Sequence, residues 1–254
     1  YSGLGFGRMR DSCEFAAKYL LNSAVLVEYG EKKLLVDGII SDRQNFDMMD
    51  GRLEHNLMNG EGEFKGLSCV LFTHCHGDHF SNSKTRKFLE KNRGIDLFIP
   101  SNGGISEDFI RSKGSRGHII RGEEGEILTF QFDDMTIEYM KADHLTFDYP
   151  EHYCINIVGP DENIIFTADM DFNKMELLKK FTMRAHSSIF ANHLAMLHRK
   201  WRNSLIDLGC DDIYFYHLPS QYVDGFGYRD RALRNWEKYK DLFPGARLLT
   251  YEPK

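Results

Sequence analysis

The sequence lacks the features that mark membrane, secreted and disulfide-rich proteins. No apolar run approaches the ~18 residues that cross a bilayer, and none resembles the hydrophobic region of a secretory signal. The five cysteines are odd in number and form no C-x-x-C pair, and the chain has no N-x-S/T glycosylation acceptor. We therefore expect reduced thiols and a cytoplasmic protein that does not engage a membrane.

An excess of positive charge is also absent. The chain has 32 basic and 38 acidic residues and a net charge of −6, which disfavours a broad electrostatic grip on nucleic acid but leaves room for a local basic groove. With 254 residues and 42% hydrophobic content, the chain can form a packed core. We predict a flexible segment or non-native remnant over residues 1–12, where glycines alternate, and a single domain over residues 13–254.

Strand-like and helix-like segments follow each other along the chain without a Pro-, Gly- or Ser-rich linker. The hydrophobic patterns predict two β-rich sheets with helices outside them. Strands are predicted at 24–29, 33–37, 68–73, 97–100, 126–132, 135–141, 153–158, 163–167, 188–191, 212–216 and 247–251. Helices are predicted at 83–92, 106–111, 171–181, 195–208 and 229–242.

The strongest chemical signal is the sequence His74-x-His76-x-Asp78-His79, directly after a buried strand candidate. Imidazole nitrogens and carboxylate oxygens suit zinc, with manganese or iron as alternatives. His74 and His76 share parity, so in an extended loop they could face one ion while Asp78 and His79 face another. A His-rich polar turn is the alternative interpretation, but burying unpaired imidazoles costs free energy.

This motif has the H-x-H-x-D-H form of the metallo-β-lactamase superfamily, and the chain resembles members of that family over nearly its whole length. The family usually has glycine where this chain has Ala168. The resemblance implies an α/β fold, a four-layer αββα sandwich with its metal site along one sheet edge. Further matching segments, each after a predicted strand, are Leu35-Val36-Asp37-Gly38, Ala142-Asp143-His144, Phe166-Thr167-Ala168-Asp169 and Tyr216-His217-Leu218-Pro219.

The resemblance also implies a set of metal ligands for two divalent ions. Zinc is the first choice, and manganese and iron are the alternatives. Such a pair would activate a hydroxide for hydrolysis. Asp37 is expected to hydrogen-bond a ligand histidine or backbone beside the site. One ion would be held by His74, His76 and His144, and the other by Asp78, His79 and His217, with Asp169 bridging the two.

Two residues form the candidate catalytic set, Asp78 and His193. Asp78 belongs to it as well as to the ligands. His193 follows a strand candidate and could protonate a leaving group, although a hydrogen-bonded histidine without a catalytic role is the alternative. His152 is expected to occupy a loop near the site.

The substrate class is left open by these residues. We expect a hydrolase acting on an ester, a lactone or a phosphodiester of a small molecule. Because the complete ligand set resembles that of dinuclear phosphodiesterases, a phosphodiesterase or nuclease acting on cyclic nucleotides or RNA is an alternative. The basic residues of 83–93, Arg229 and Arg231 could hold phosphate or could form solvated helix faces. A mononuclear iron oxidoreductase and a non-catalytic metal-binding module are further alternatives.

Overall fold

Each of two compact units is built around one mixed β-sheet. The computed structural model describes residues 15–41, 46–146 and 151–251. An N-terminal unit extends to Ile120, and a C-terminal unit spans Arg121–Glu252. The flexible segment predicted at residues 1–12 lies outside the described residues, and the single domain over 13–254 stays a prediction.

The N-terminal sheet has an antiparallel half and a parallel half. β1, β2 and β3 pair antiparallel, whereas β3, β4, β5 and β6 run parallel. The strand β5 is buried along its whole length, as is typical of strands in the parallel part of a sheet. Among the described residues, the strands in sheet order are β1 (Phe15–Leu21), β2 (Ala24–Tyr29), β3 (Lys32–Val36), β4 (Leu67–Leu71), β5 (Asp96–Pro100) and β6 (Arg116–Ile120).

Three helices of the N-terminal unit begin at side-chain caps. They are α1 (Gly51–Asn59), α2 (Asn82–Lys91) and α3 (Glu107–Ser112). The carboxylate of Asp50 accepts from the first amides of α1, and the hydroxyls of Ser81 and Ser106 accept from amides of α2 and α3. Each cap satisfies amides that have no partner within the helix.

The C-terminal sheet repeats the same division. β7 to β10 pair antiparallel, and β10 to β13 run parallel. Its described strands are β7 (Ile127–Phe132), β8 (Met135–Lys141), β9 (Tyr153–Val158), β10 (Glu162–Phe166), β11 (His186–Asn192), β12 (Asp212–Tyr216) and β13 (Arg247–Leu248). The α-helices of this unit are α4 (Arg199–Ile206) and α5 (Tyr228–Tyr239). No helix in the described ranges is long and apolar enough to cross a membrane.

Two of the predicted helices differ from the structure. The segment predicted at 171–181 is 3₁₀ helix, Phe172–Lys180, interrupted at Lys174. The segment predicted at 195–208 is divided into a 3₁₀ turn, His193–Met196, and α4, because His198 is extended. Asn192 caps the 3₁₀ turn by accepting from the amide of Leu194, which ties the start of the segment to the sheet. The sequence patterns predict neither β1 nor β6.

The topology of each sheet gathers its chemically active residues at one edge. Asp37 follows β3, and the motif starting at His74 follows the parallel neighbour β4. In the C-terminal sheet, Asp169 follows β10 and His217 follows β12, with β11 between them and parallel to both. Since parallel strands end at the same edge, segments far apart in sequence place their side chains together.

Candidate metal centre

The H-x-H-x-D-H motif forms one buried cluster within the N-terminal unit. The loop turns back on itself, because the amides of His79 and Phe80 both donate to the carbonyl of His76, at 3.0 and 2.7 Å. Nε2 of His74 lies 3.0 Å from Nδ1 of His76, and the His74 and His79 ring centroids are 3.9 Å apart. Oδ2 of Asp78 lies 3.7 Å from Nε2 of His79. Nitrogen and oxygen donors gathered in this way fit a divalent ion such as zinc.

A fully buried carboxylate, Asp37, orients this cluster. Its Oδ1 accepts from the Thr73 amide at 2.8 Å, and its Oδ2 accepts from the Thr73 hydroxyl at 2.6 Å and from Nδ1 of His79 at 2.9 Å. The Thr73 hydroxyl also lies 3.1 Å from Nδ1 of His74. Because that hydroxyl donates to Asp37, it accepts from His74, so both imidazoles carry their proton on Nδ1 and offer Nε2 to an ion. The expectation that Asp37 hydrogen-bonds a candidate ligand histidine is confirmed.

In the C-terminal unit, Asp169 lies between two histidines. Its Oδ2 is 3.6 Å from Nε2 of His144, and its Oδ1 is 3.5 Å from Nε2 of His217. The Asp169 side chain is 14% exposed, and both histidines are buried. Each carboxylate oxygen therefore faces a different imidazole, which is compatible with a carboxylate shared by two ions.

Two further side chains hold these donors, and the sequence analysis did not single out either of them. Nδ2 of Asn192 donates to Oδ1 of Asp169 at 2.6 Å. Oγ1 of Thr146 lies 2.9 Å from Nδ1 of His144. The only sequence signal for Asn192 is a polar residue at the end of a buried strand, directly before His193. Contacts of this kind fix the orientation of a metal ligand.

His152 lies in the connection that leads from β8 into β9, beside a candidate ligand, as expected. Its side chain is fully buried within the C-terminal unit, where Nε2 accepts from the backbone amide of Asp169 at 3.1 Å. The polar atoms of a buried imidazole need hydrogen-bond partners. One partner of His152 is the backbone amide of Asp169, a candidate ligand.

The backbone is strained beside two candidate ligands of the C-terminal unit. Ala168 has a φ of 43° and His217 a φ of 68°, both in the left-handed region that glycine adopts most readily. The Ala168 side chain is fully buried. Local strain of this kind persists where the surrounding structure imposes it, and it concentrates at functional sites.

His193 is a buried, neutral imidazole beside the C-terminal donors. Burial, and after it the neighbouring His217, lowers the pKa of His193 to about 3, while the charge of Asp169 opposes the shift. It is therefore unprotonated near neutral pH and cannot deliver a proton unless bound substrate first changes its surroundings.

Three of the four basic residues of α2 make polar contacts within the N-terminal unit. Lys84 pairs with Glu54 at 2.7 Å, and Lys91 donates to the side chain of Asn59 at 2.8 Å. Arg86 donates to the carbonyl of Gly104 at 2.7 Å. These contacts favour a structural role over a grip on phosphate.

Arg229 lies closer in sequence to a candidate ligand. Its Nη1 donates to the carbonyl of Pro219 at 3.3 Å, two residues after His217. Its amide is held by the carboxylate of Asp224 at 2.8 Å, at the start of α5. The guanidinium is thus attached to the segment that leaves the His217 position.

Sequence comparison finds one distant curated relative. No family model matches the chain. The UPF0173 protein YddR of Bacillus subtilis (strain 168) is 21% identical over 218 residues, covering 68% of this chain and 83% of YddR.

Structure comparison finds the same fold in proteins of very different sequence. Igni18, a metallo hydrolase from Ignicoccus hospitalis, matches with a TM-score of 0.59 and 16% identity over 93% of this chain and 94% of its own. YhfI of B. subtilis, a metallo-β-lactamase fold protein, matches with a TM-score of 0.55 and 16% identity over 98% and 93%. The diiron β-hydroxylase CmlA of Streptomyces venezuelae matches with a TM-score of 0.59 and 12% identity over 95% of this chain.

The chain spans about half of CmlA, 54% of that protein's length, but nearly all of YhfI and Igni18. Two mixed sheets with helices, matched over this share of the chain, confirm the predicted fold class. The protein has the metallo-β-lactamase fold.

Proposed function

We propose that the protein is a metal-dependent hydrolase with a dinuclear centre. One ion would be bound by His74, His76 and His144, and a second by Asp78, His79 and His217, with Asp169 shared. Donor clusters within each unit support this proposal. In the N-terminal unit His74 lies beside His76 and Asp78 beside His79, and in the C-terminal unit Asp169 lies between His144 and His217.

The position of Asp169 is the observation that carries this proposal. Its two oxygens face His144 and His217 separately, at 3.6 and 3.5 Å. A carboxylate that lies between two candidate ligand histidines could be shared by ions bound at each of them.

The chemistry of the site follows from its donors. When bound, two divalent ions supply Lewis acidity and an activated water for attack on the scissile group. The chain's own residues would hold the reacting groups. Asp37 and Thr73 set the proton positions of His74 and His79, and Asn192 orients Asp169. His193, neutral and buried, would accept or donate a hydrogen bond to substrate rather than serve as a protonated acid.

Zinc is our first choice of metal, with manganese and iron as alternatives. A mixed His and Asp ligand set accommodates all three. CmlA, which shares the fold, is described as a diiron enzyme, so iron is included in the test, and with it the alternative of an iron oxidoreductase.

The substrate class in this proposal is an ester, a lactone or a phosphodiester of a small molecule, in a cytoplasmic setting. The described cysteines are free thiols, which supports that location. A phosphodiesterase is the second candidate. A diphosphatase of the PhnP family shares the fold, with a TM-score of 0.53 and 16% identity over 92% of this chain. Arg229 offers a cation for a non-bridging phosphate oxygen.

A paired substrate panel tests the proposal. Protein loaded with zinc, manganese or iron is assayed against bis(p-nitrophenyl) phosphate and against a set of lactones and p-nitrophenyl esters. We expect turnover of one of these classes that chelator abolishes and added metal restores. Failure of every metal form on every substrate, in protein that binds metal, would favour a non-catalytic metal-binding module.

The variant Arg229→Ala separates the two substrate classes. A phosphodiesterase should show a raised KM for the phosphodiester and an unchanged KM for neutral lactones. Lys84→Ala is the matched control, because Lys84 is occupied by Glu54. Lactone turnover without phosphodiester turnover would eliminate the phosphodiesterase.

A further inference from the structure

One buried ring, that of His152, links the two segments that carry His144 and Asp169. Its Nε2 lies 3.1 Å from the amide nitrogen of Asp169, and its Nδ1 lies 3.1 Å from the carbonyl oxygen of Ala142. The Ala142 amide donates in return to the His152 carbonyl at 3.1 Å. The His152 ring also packs edge-on against the His144 ring, with centroids 5.6 Å apart.

The two partners fix the proton of the His152 ring. A backbone amide can only donate, so Nε2 accepts from Asp169 and carries no proton. Nδ1 therefore carries the proton and donates it to the Ala142 carbonyl. The ring acts as a rigid spacer with an acceptor at one end and a donor at the other.

The amide that His152 holds follows the strained residue. The Asp169 N–H belongs to the peptide that joins Ala168 to Asp169, and Ala168 has a φ of 43°. An alanine does not adopt that conformation by preference. The hydrogen bond to His152 compensates part of this cost and sets the direction in which Asp169 leaves the strand.

We propose that His152 is a positioning residue for metal binding: it holds Asp169 and His144 in the relative placement that an ion requires. This inference rests on the proposed function, since it takes Asp169 and His144 as ligands. His152 is not itself a ligand, because its two ring nitrogens are occupied by Asp169 and Ala142.

Two substitutions test the hydrogen bonds of the two ring nitrogens separately. In His152→Gln, the side-chain oxygen can still accept from the Asp169 amide, whereas the donor to Ala142 is lost. In His152→Asn, the amide can still donate to Ala142, whereas the acceptor for Asp169 is lost. We expect the zinc affinity of His152→Asn, measured by competition with a chelator, to fall roughly 10–100-fold. The affinity of His152→Gln should stay within about threefold of the wild type, since the contact with Asp169 is kept.

The melting temperatures of the metal-free variants distinguish a positioning role from an effect on general stability. His198→Gln is the control, because His198 is exposed and its loss should change neither the melting temperature nor the zinc affinity. Equal zinc affinities in all three folded variants, or losses that follow the melting temperature alone, would overturn the inference. If His152→Asn does not fold, His152→Ala, which loses both contacts, replaces it: a roughly tenfold loss of zinc affinity beside retained affinity in His152→Gln supports positioning, and equal affinities contradict it.

Ring ¹⁵N chemical shifts of the metal-free wild type give a readout that requires no metal. We expect His152 to show a protonated Nδ1 and an unprotonated Nε2, and the opposite tautomer would overturn the inference. A wild-type protein that binds no zinc, manganese or iron would refute the proposed function and the positioning role together. A wild-type protein that binds zinc, beside variants that bind it equally well, would refute the positioning role alone.

Discussion

Oδ2 of Asp37 accepts a hydrogen bond from Nδ1 of His79 at 2.9 Å, and both side chains are fully buried. A carboxylate without water is stable only when its oxygens are paired. Asp37 meets this requirement with Thr73 and His79, and the same bonds direct Nε2 of His79 toward the donor cluster. Folding of the N-terminal unit and orientation of a candidate ligand thus depend on the same atoms.

Replacing Asp37 should therefore weaken both metal binding and stability. For Asp37→Ala we expect zinc affinity to fall roughly 10–100-fold and the free energy of unfolding of the metal-free protein to fall by about 1–3 kcal/mol. Chelator competition and urea unfolding measure the two. Asp50→Ala is the matched control, since loss of the α1 cap costs about 1 kcal/mol without a change in affinity. Unchanged zinc binding in folded Asp37→Ala would refute the orienting role.

Fully loaded protein should contain close to two metal equivalents per chain. The reason is that the proposed ligands form two sets that share Asp169, whose carboxylate oxygens face His144 and His217. Plasma emission spectrometry measures the number of bound metal ions, and anomalous diffraction at the metal edge gives their positions. A single site at saturating metal would contradict the dinuclear proposal.

Asp169→Ala should disable the enzyme more severely than His193→Ala. Loss of a shared carboxylate weakens the binding of both ions, whereas loss of the neutral His193 removes one hydrogen bond to substrate, worth about 0.5–1.5 kcal/mol. Metal content and kcat are measured on the same preparations, so that loss of metal is separated from loss of chemistry. Full metal occupancy and near-normal turnover in Asp169→Ala would show that Asp169 is not the bridge.

Ala168→Gly should leave every ligand in place and relieve strain. An alanine in the left-handed region costs about 1–2 kcal/mol, which glycine avoids. Glycine also makes the unfolded chain more flexible, and this destabilises the folded protein by about 0.4–1 kcal/mol. We expect unfolding free energy to be unchanged or to rise by about 1 kcal/mol, with zinc affinity preserved. Chemical denaturation of the metal-free protein measures it, with Ala142→Gly as a control at a buried alanine whose φ is not positive. If Ala168→Gly lowers the free energy of unfolding as much as Ala142→Gly does, the backbone at Ala168 is not strained.

Acid should destabilise the metal-free protein through His193. Because burial lowers its pKa to about 3, the unfolded chain binds a proton at His193 below its ordinary pKa of ~6.5 and the folded chain does not. The contribution of His193 to the free energy of unfolding is therefore fully present above pH ~6.5 and is lost as the pH falls toward about 3. Urea midpoints across this range should decline less steeply in His193→Gln than in the wild type. Parallel declines would indicate that His193 already titrates normally in the folded protein.

Local patterns in the sequence are sufficient to predict most strands, because alternating or continuous apolar residues define a strand. The motif starting at His74 is identified by its own donor residues. His144, Asp169 and His217 are predicted as ligands through the resemblance of their strand-end segments to the metallo-β-lactamase superfamily. Prediction fails where local pattern and tertiary contact disagree. The helix predicted at 195–208 is broken at His198, and β6, with a glycine among five residues, has no strong pattern.

The way in which those ligands are held depends on tertiary structure. Asp37 and His79 are 42 residues apart, Asp169 and Asn192 are 23 apart, and His152 and Asp169 are 17 apart. None of these pairs has a spacing rule, because each forms where neighbouring strands end at a common edge. A hydrogen bond between side chains on different strands depends on the register and order of the sheet. Those are properties of the whole chain's packing, and no local stretch of sequence contains them.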